Sequence, residues 1–157
     1  MSADGSAEKP ESRSLEFPKP QGWDKGVLHL SRAELVMDCM LVQMQGDFRI
    51  HDLITAIHVI FDLAAKHKPR VLLCDARPVS GALSMSDRYE MATALVDRML
   101  IANKRFQIVL CANEAQLDPD RFGQLVAQNR GMSLEIALDM DEALAKARLP
   151  ISAAELL

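Results

Sequence analysis

Aromatic residues are scarce in this sequence: one Trp, one Tyr and five Phe make up 4% of 157 residues. A core made from it must be filled by aliphatic side chains and by its nine methionines, which adapt to irregular gaps. Cysteine is sparse as well. Cys39, Cys74 and Cys111 each lie inside an apolar run, which suits buried thiols in a reducing compartment and argues against a disulfide framework. Positive charge is not in excess: 18 Lys and Arg stand against 22 Asp and Glu, a net charge of -4. The basic footprint that holds nucleic acid is therefore missing, and no nucleic-acid partner is expected. No apolar run approaches the roughly 20 residues of a membrane helix, and the N-terminus has no apolar signal segment. These absences predict a cytoplasmic protein with no membrane span.

Signatures of catalysis are lacking too. The sequence holds no Gly-x-Ser-x-Gly elbow, no Gly-x-x-x-x-Gly-Lys phosphate loop and no Gly-x-Gly-x-x-Gly fingerprint. Thiols inside strands are raised in pKa by burial and inert. Asp118 with Asp120, and Asp139 with Asp141, sit where helix starts favour carboxylates. His51 and His58 are separated by roughly 10 Å of helical rise, too far to share one ion at about 2 Å each. His29 and His67 have no partner at a ligand spacing. No catalysis, no metal and no cofactor are expected.

What is present divides the chain in two. Residues 1–22 are rich in Ser, Glu, Lys and Pro, and Pro10, Pro18 and Pro20 break any helix or ladder. They predict a disordered tail, in which Leu15 and Phe17 are the groups able to dock on a partner. Residues 23–157 predict a single domain, and 49% hydrophobic residues suffice for its core.

Within that domain the periods alternate. Residues 26–31 and 35–45 predict two strands, with a hairpin around Arg32-Ala33-Glu34. The second strand is apolar on both faces, as an interior strand is. Asp47 is placed to cap a helix whose stripe is Ile50, Leu53, Ile54, Ile57, Phe61 and Ala64, ended by Pro69. The apolar run 71–74 predicts a covered central strand. Ser84 and Asp87 form a capping-box pattern before a helix with the stripe Met85, Tyr89, Ala92, Val96 and Met99.

Residues 107–112 predict another buried strand. Asp118-Pro119 opens and Gly131 after Arg130 closes a helix with Phe122, Leu125, Val126 and Asn129 inward. Leu134, Ile136 and Leu138 alternate like a strand near an edge. Asp139 and Glu142 cap a last helix facing inward with Met140, Ala143, Leu144 and Ala147, before Pro150. The order β-β-α-β-α-β-α-β-α predicts an α/β fold: a mixed, mostly parallel sheet of about five strands with about four helices.

This order resembles the STAS-like domains, the group named for sulfate transporters and anti-sigma-factor antagonists. The segments Asp75-Ala-Arg-Pro-Val-Ser-Gly-Ala-Leu-Ser-Met-Ser-Asp-Arg-Tyr and Phe122…Asn129-Arg130-Gly131…Asp141-Glu142-Ala143-Leu144 carry the resemblance, over residues 26–149. It is nearest to small stand-alone bacterial members related to CRAL-TRIO lipid-binding proteins. In anti-sigma antagonists a Ser or Thr at the start of the helix after the third strand is phosphorylated by a partner kinase. Residues 83–87 match that region and offer Ser84 and Ser86, without the Asp-Ser-Ser-Gly-type sequence. Other relatives bind nucleotides or apolar ligands.

The candidate site is Asp75, Arg77, Ser84, Ser86, Asp87, Arg88 and Tyr89. Asp75 falls at the carboxyl end of a parallel strand, where open α/β sheets place ligands. Ser84 and Ser86 sit at a helix N-terminus, which favours an anion. Arg77 or Arg88 can grip phosphate or carboxylate bidentately. Tyr89 either packs in the core with its hydroxyl at the rim or lines a pocket. The plainer explanation is that Ser84 and Asp87 cap the helix and Asp75 pairs with an arginine.

Asn113 and Glu114 fall on the same edge as weaker candidates, and Met85, Met91, Met99 and Met132 either fill the core or line an adaptable groove. The expected role is a non-enzymatic regulatory module binding a protein partner in bacterial signalling, with Asp87, Glu90, Thr93, Asp97 and Arg98 as the solvated side of the helix. The alternative is a binder of a small apolar or anionic molecule between sheet and helix, and a minor enzyme ranks behind both.

Overall fold

Strands and helices alternate in the computed structural model, which describes residues 11–21, 23, 26–101, 106–117, 122–129, 131 and 133–156. In chain order the elements are β1 (Ser12–Ser14), β2 (His29–Val36), β3 (Cys39–Asp47), α1 (Ile50–His67), β4 (Val71–Asp75), β5 (Val79–Ser80), α2 (Met85–Ile101), β6 (Gln107–Cys111), α3 (Phe122–Asn129), β7 (Leu134–Ala137) and α4 (Met140–Lys146). Short 3₁₀ turns lie at Glu114–Gln116 and Ala153–Leu156. The sheet runs β1-β2-β3-β4-β6-β7, with β5 paired to the end of β3. β1, β2 and β3 pair antiparallel, and β3, β4, β6 and β7 pair parallel. The α/β class and mixed sheet are as expected. The five expected strands become seven, and the order differs from the expected β-β-α-β-α-β-α-β-α, because β1 precedes it and β5 is inserted between β4 and α2. Of the four expected helices only three reach eight residues.

The run 71–74 forms the centre of this sheet because both of its faces are covered. All five residues of β4 are buried. Val71 and Leu73 join Cys39, Leu41, Val109 and Cys111 in a cluster under Met140, Ala143, Leu144 and Ala147 of α4. Leu72 and Cys74 point the other way, into a cluster with Ala56, Ile60 and Phe61 of α1 and Val96 of α2. Alternation along a strand with helices on both sides requires apolar residues at every position.

Several expectations are corrected. Part of the expected tail is ordered: β1 pairs with β2, Leu15 is buried, and the Phe17 ring lies 6.5 Å from that of Trp23. Residues 1–10 lie outside the described residues. The hairpin turns at Met37 and Asp38, not at Arg32-Ala33-Glu34, which lies within β2 beside a register shift between Leu30 and Arg32. Met37 takes a φ of 57°, and the guanidinium of Arg70 clasps the Asp38 carboxylate at 2.6 Å. Asp47 caps no helix. It ends β3 and accepts the Ser80 hydroxyl, while Arg49 precedes α1 without a side-chain cap.

Leu125 and Asn129 of α3 are exposed, whereas Gln124 and Gln128 turn to β7 and donate to the carbonyl of Leu134. With Lys146 donating to the carbonyl of Ile136, these side chains cover acceptors on the outer edge of β7, which blunts that edge against another strand. The expected signals at Asp118, Pro119, Asp120, Arg130 and Met132 fall outside the described residues.

Candidate functional site

Asp75 ends β4 with its side chain on the α4 face and is only 3% exposed. Its carboxylate is fully engaged. Oδ1 accepts the backbone N–H of Arg77 at 3.1 Å and its Nε–H at 2.9 Å, and Oδ2 accepts Arg77 Nη2 at 3.0 Å and Gln43 Nε2 at 3.3 Å. Burial pushes this carboxyl up in pKa. The side-chain and backbone hydrogen bonds of Arg77, its charge, and the bond from Gln43 outweigh that push and hold it below its ordinary value. The expected pairing of Asp75 with an arginine is therefore present, and the partner is Arg77.

Ser84 and Asp87 are the expected cap. The Ser84 hydroxyl accepts the N–H of Asp87 at 3.0 Å, and the Asp87 carboxylate accepts the N–H of Ser84 at 3.0 Å. Ser86 is exposed. Met85 and Tyr89 are 60% and 49% exposed, so neither belongs to the buried stripe and Tyr89 does not pack in the core. The helix turns inward with Arg88, Met91, Ala92, Leu95 and Val96. Its expected solvated side shifts in step: Thr93 is half-buried, and Arg98 pairs with Asp62 of α1 at 2.6 Å. The side chain of Met99 lies outside the described residues.

The seven candidate residues thus do not form one cluster. Asp75 and Arg77 lie on the α4 face, and residues 84–89 belong to the helix on the opposite face. Gln116 ties the two at the sheet edge. Its amide donates to the carbonyls of Ala76 and Val79 at 2.9 Å each, its Oε1 accepts the N–H of Asn113 at 2.7 Å, and its carbonyl accepts Arg88 Nη1 at 2.8 Å. Asn113 donates to the Arg77 carbonyl at 2.9 Å, while Glu114 is exposed. Gln116 and Gln43 were not singled out from sequence. Gln116 follows Asn113 at capping-box spacing, and Gln43 interrupts an apolar strand directly opposite Asp75.

Each face carries a cavity. Between the sheet and α1 and α2 lies one of about 130 Å³. Its walls are almost wholly apolar, including Leu53, Ile57, Phe61, Leu72, Met91 and Ile108, and Arg88, Gln116 and Gln124 add polar groups. On the other face, one of about 240 Å³ is lined by Arg32, Gln43, Asp75 and Arg77 together with Leu41, Met140, Ala153 and Leu156.

Among the described residues, no group of three or more His, Cys, Asp or Glu is placed to hold a metal ion, and no helix is long and apolar enough to cross a membrane. No protein-family model matches the chain, and no curated protein matches it.

Proposed function

We propose that this chain is a STAS-like, non-enzymatic binding module that takes up a small apolar molecule between its sheet and helices α1 and α2. The observation that carries this reading is the cavity of about 130 Å³ with nearly all-apolar walls. An apolar cavity of about 150 Å³ accepts a benzene-sized guest. Benzene is accordingly the probe. It is expected to raise the melting temperature, as a ligand that binds only the folded state must. Ala92→Leu, which fills the cavity from α2, is expected to abolish that rise. An unchanged melting temperature of the wild type at saturating benzene would overturn the reading.

Exposed Met85 and Tyr89, one helical turn apart beside exposed Ser84 and Ser86, favour a second reading, in which the start of α2 meets a protein partner. Ser84 is committed to the cap, and a phosphate there would face the Asp87 carboxylate. Ser86 is the freer acceptor. Phosphate mapped to Ser86 in protein isolated from its own host would support a partner switch, and unmodified serine there would count against it.

A further inference from the structure

We infer that the cavity on the α4 face is a second ligand site, taking a small molecule with a singly charged carboxylate head and a short apolar body. The polar wall argues for the head group. Asp75 is saturated by four hydrogen bonds and has no capacity left as a base or a ligand for cations. Its role is to fix Arg77. Arg32 is held in the same way, by Glu34 through Nε. Among the described residues, this leaves Arg77 Nη1 and both terminal nitrogens of Arg32 without a hydrogen bond. The wall therefore offers N–H donors, which a carboxylate matches.

Charge narrows the class further. Asp75 offsets Arg77, Glu34 offsets Arg32, and Asp139 lies close enough to Arg77 to interact with it. Three carboxylates against two guanidiniums give the wall no net positive charge, so it recognises by directed hydrogen bonds and disfavours a phosphate dianion. Leu41, Met140 and Leu156 supply the apolar part of the lining. A volume of about 240 Å³, just below the usual range for drug-sized ligands of roughly 300–1,000 Å³, suits a short chain. The last turn, Ala153–Leu156, forms one wall and is fastened by the N–H of Ala153 to Asp141 at 2.8 Å.

The test is a titration of full-length protein, labelled with ¹³C at its methionine methyls, with hexanoate, hexylamine and inorganic phosphate. Met140 reports this cavity, and Met44 and Met91 report the one under α1 and α2. Millimolar hexanoate is expected to move Met140 and leave Met44 and Met91 in place, while hexylamine and phosphate leave Met140 unmoved. Arg77→Gln strips Asp75 of its partner and risks the fold. Arg32→Gln is the cleaner variant, because its partner Glu34 keeps 13% exposure against 4% for the Asp75 side chain, and it is expected to weaken hexanoate about tenfold. The site is overturned if Met140 stays still, if Met44 and Met91 move instead, if hexylamine or phosphate moves Met140 as far, or if Arg32→Gln binds hexanoate unchanged.

Discussion

Asp75 is the one buried charged side chain among the described residues, and its bonds make a pH-dependent contribution to stability. Asp75→Asn keeps the shape and removes the charge, and is expected to cost about 1–3 kcal/mol near neutral pH. Its native pKa is depressed below an unfolded value of about 3.9, so the stabilisation is present above that value and is lost as pH falls through the native pKa. Urea unfolding of the two proteins should show a gap at neutral pH that closes with acid; a gap independent of pH would refute the ionic account. The three thiols behave oppositely. Burial pushes Cys39 up to about 12 and Cys111 up to about 11, and raises Cys74 as well. Native protein at mildly alkaline pH should leave a thiol reagent unconsumed, and denaturant should release all three; rapid reaction in the native state would contradict that placement.

The start of α2 separates a structural serine from a free one. Replacing Ser84 removes the acceptor for the Asp87 N–H, so Ser84→Ala is expected to lower stability by about 1 kcal/mol. Ser86 is exposed and makes no such bond among the described residues, and Ser86→Ala should stay within about 0.5 kcal/mol. Denaturant midpoints of the two variants check this, and equal midpoints would remove the cap from the account. The cap was legible because a Ser and an Asp three residues apart before a helical period satisfy each other locally. The face of the same helix was not. Met85 and Tyr89 read as apolar and continue the spacing of Ala92 and Val96. Inward placement of Arg88, held by the Gln116 carbonyl, rotates the helix away from that stripe. The hairpin failed for a similar reason. Arg32 and Glu34 look like a polar turn, yet they share one face of β2 and pair with each other, while the true turn uses Met37 at positive φ, a site where glycine is the usual signal.

At the scale of the molecule, the sequence held the mostly parallel order of strands but not the division of the site between two faces. Period 2 puts Asp75 with Val71 and Leu73, opposite Leu72 and Cys74. Which face receives the next helix is settled by tertiary packing, not by local pattern. That division has a mechanical consequence. β4 contributes side chains alternately to both clusters, so neither helical layer can leave without stripping one face of the central strand. Trp23 is the only tryptophan and is buried in the cluster under α1 and α2, whereas Leu144 sits in the one under α4. Leu144→Ala should cost about 2–5 kcal/mol. If the two layers form one cooperative unit, Trp23 fluorescence and far-UV circular dichroism must shift to the same lower midpoint, although the mutation touches neither Trp23 nor its cluster. A variant whose circular dichroism melts early while Trp23 keeps the wild-type midpoint would mean that the α4 layer unfolds alone.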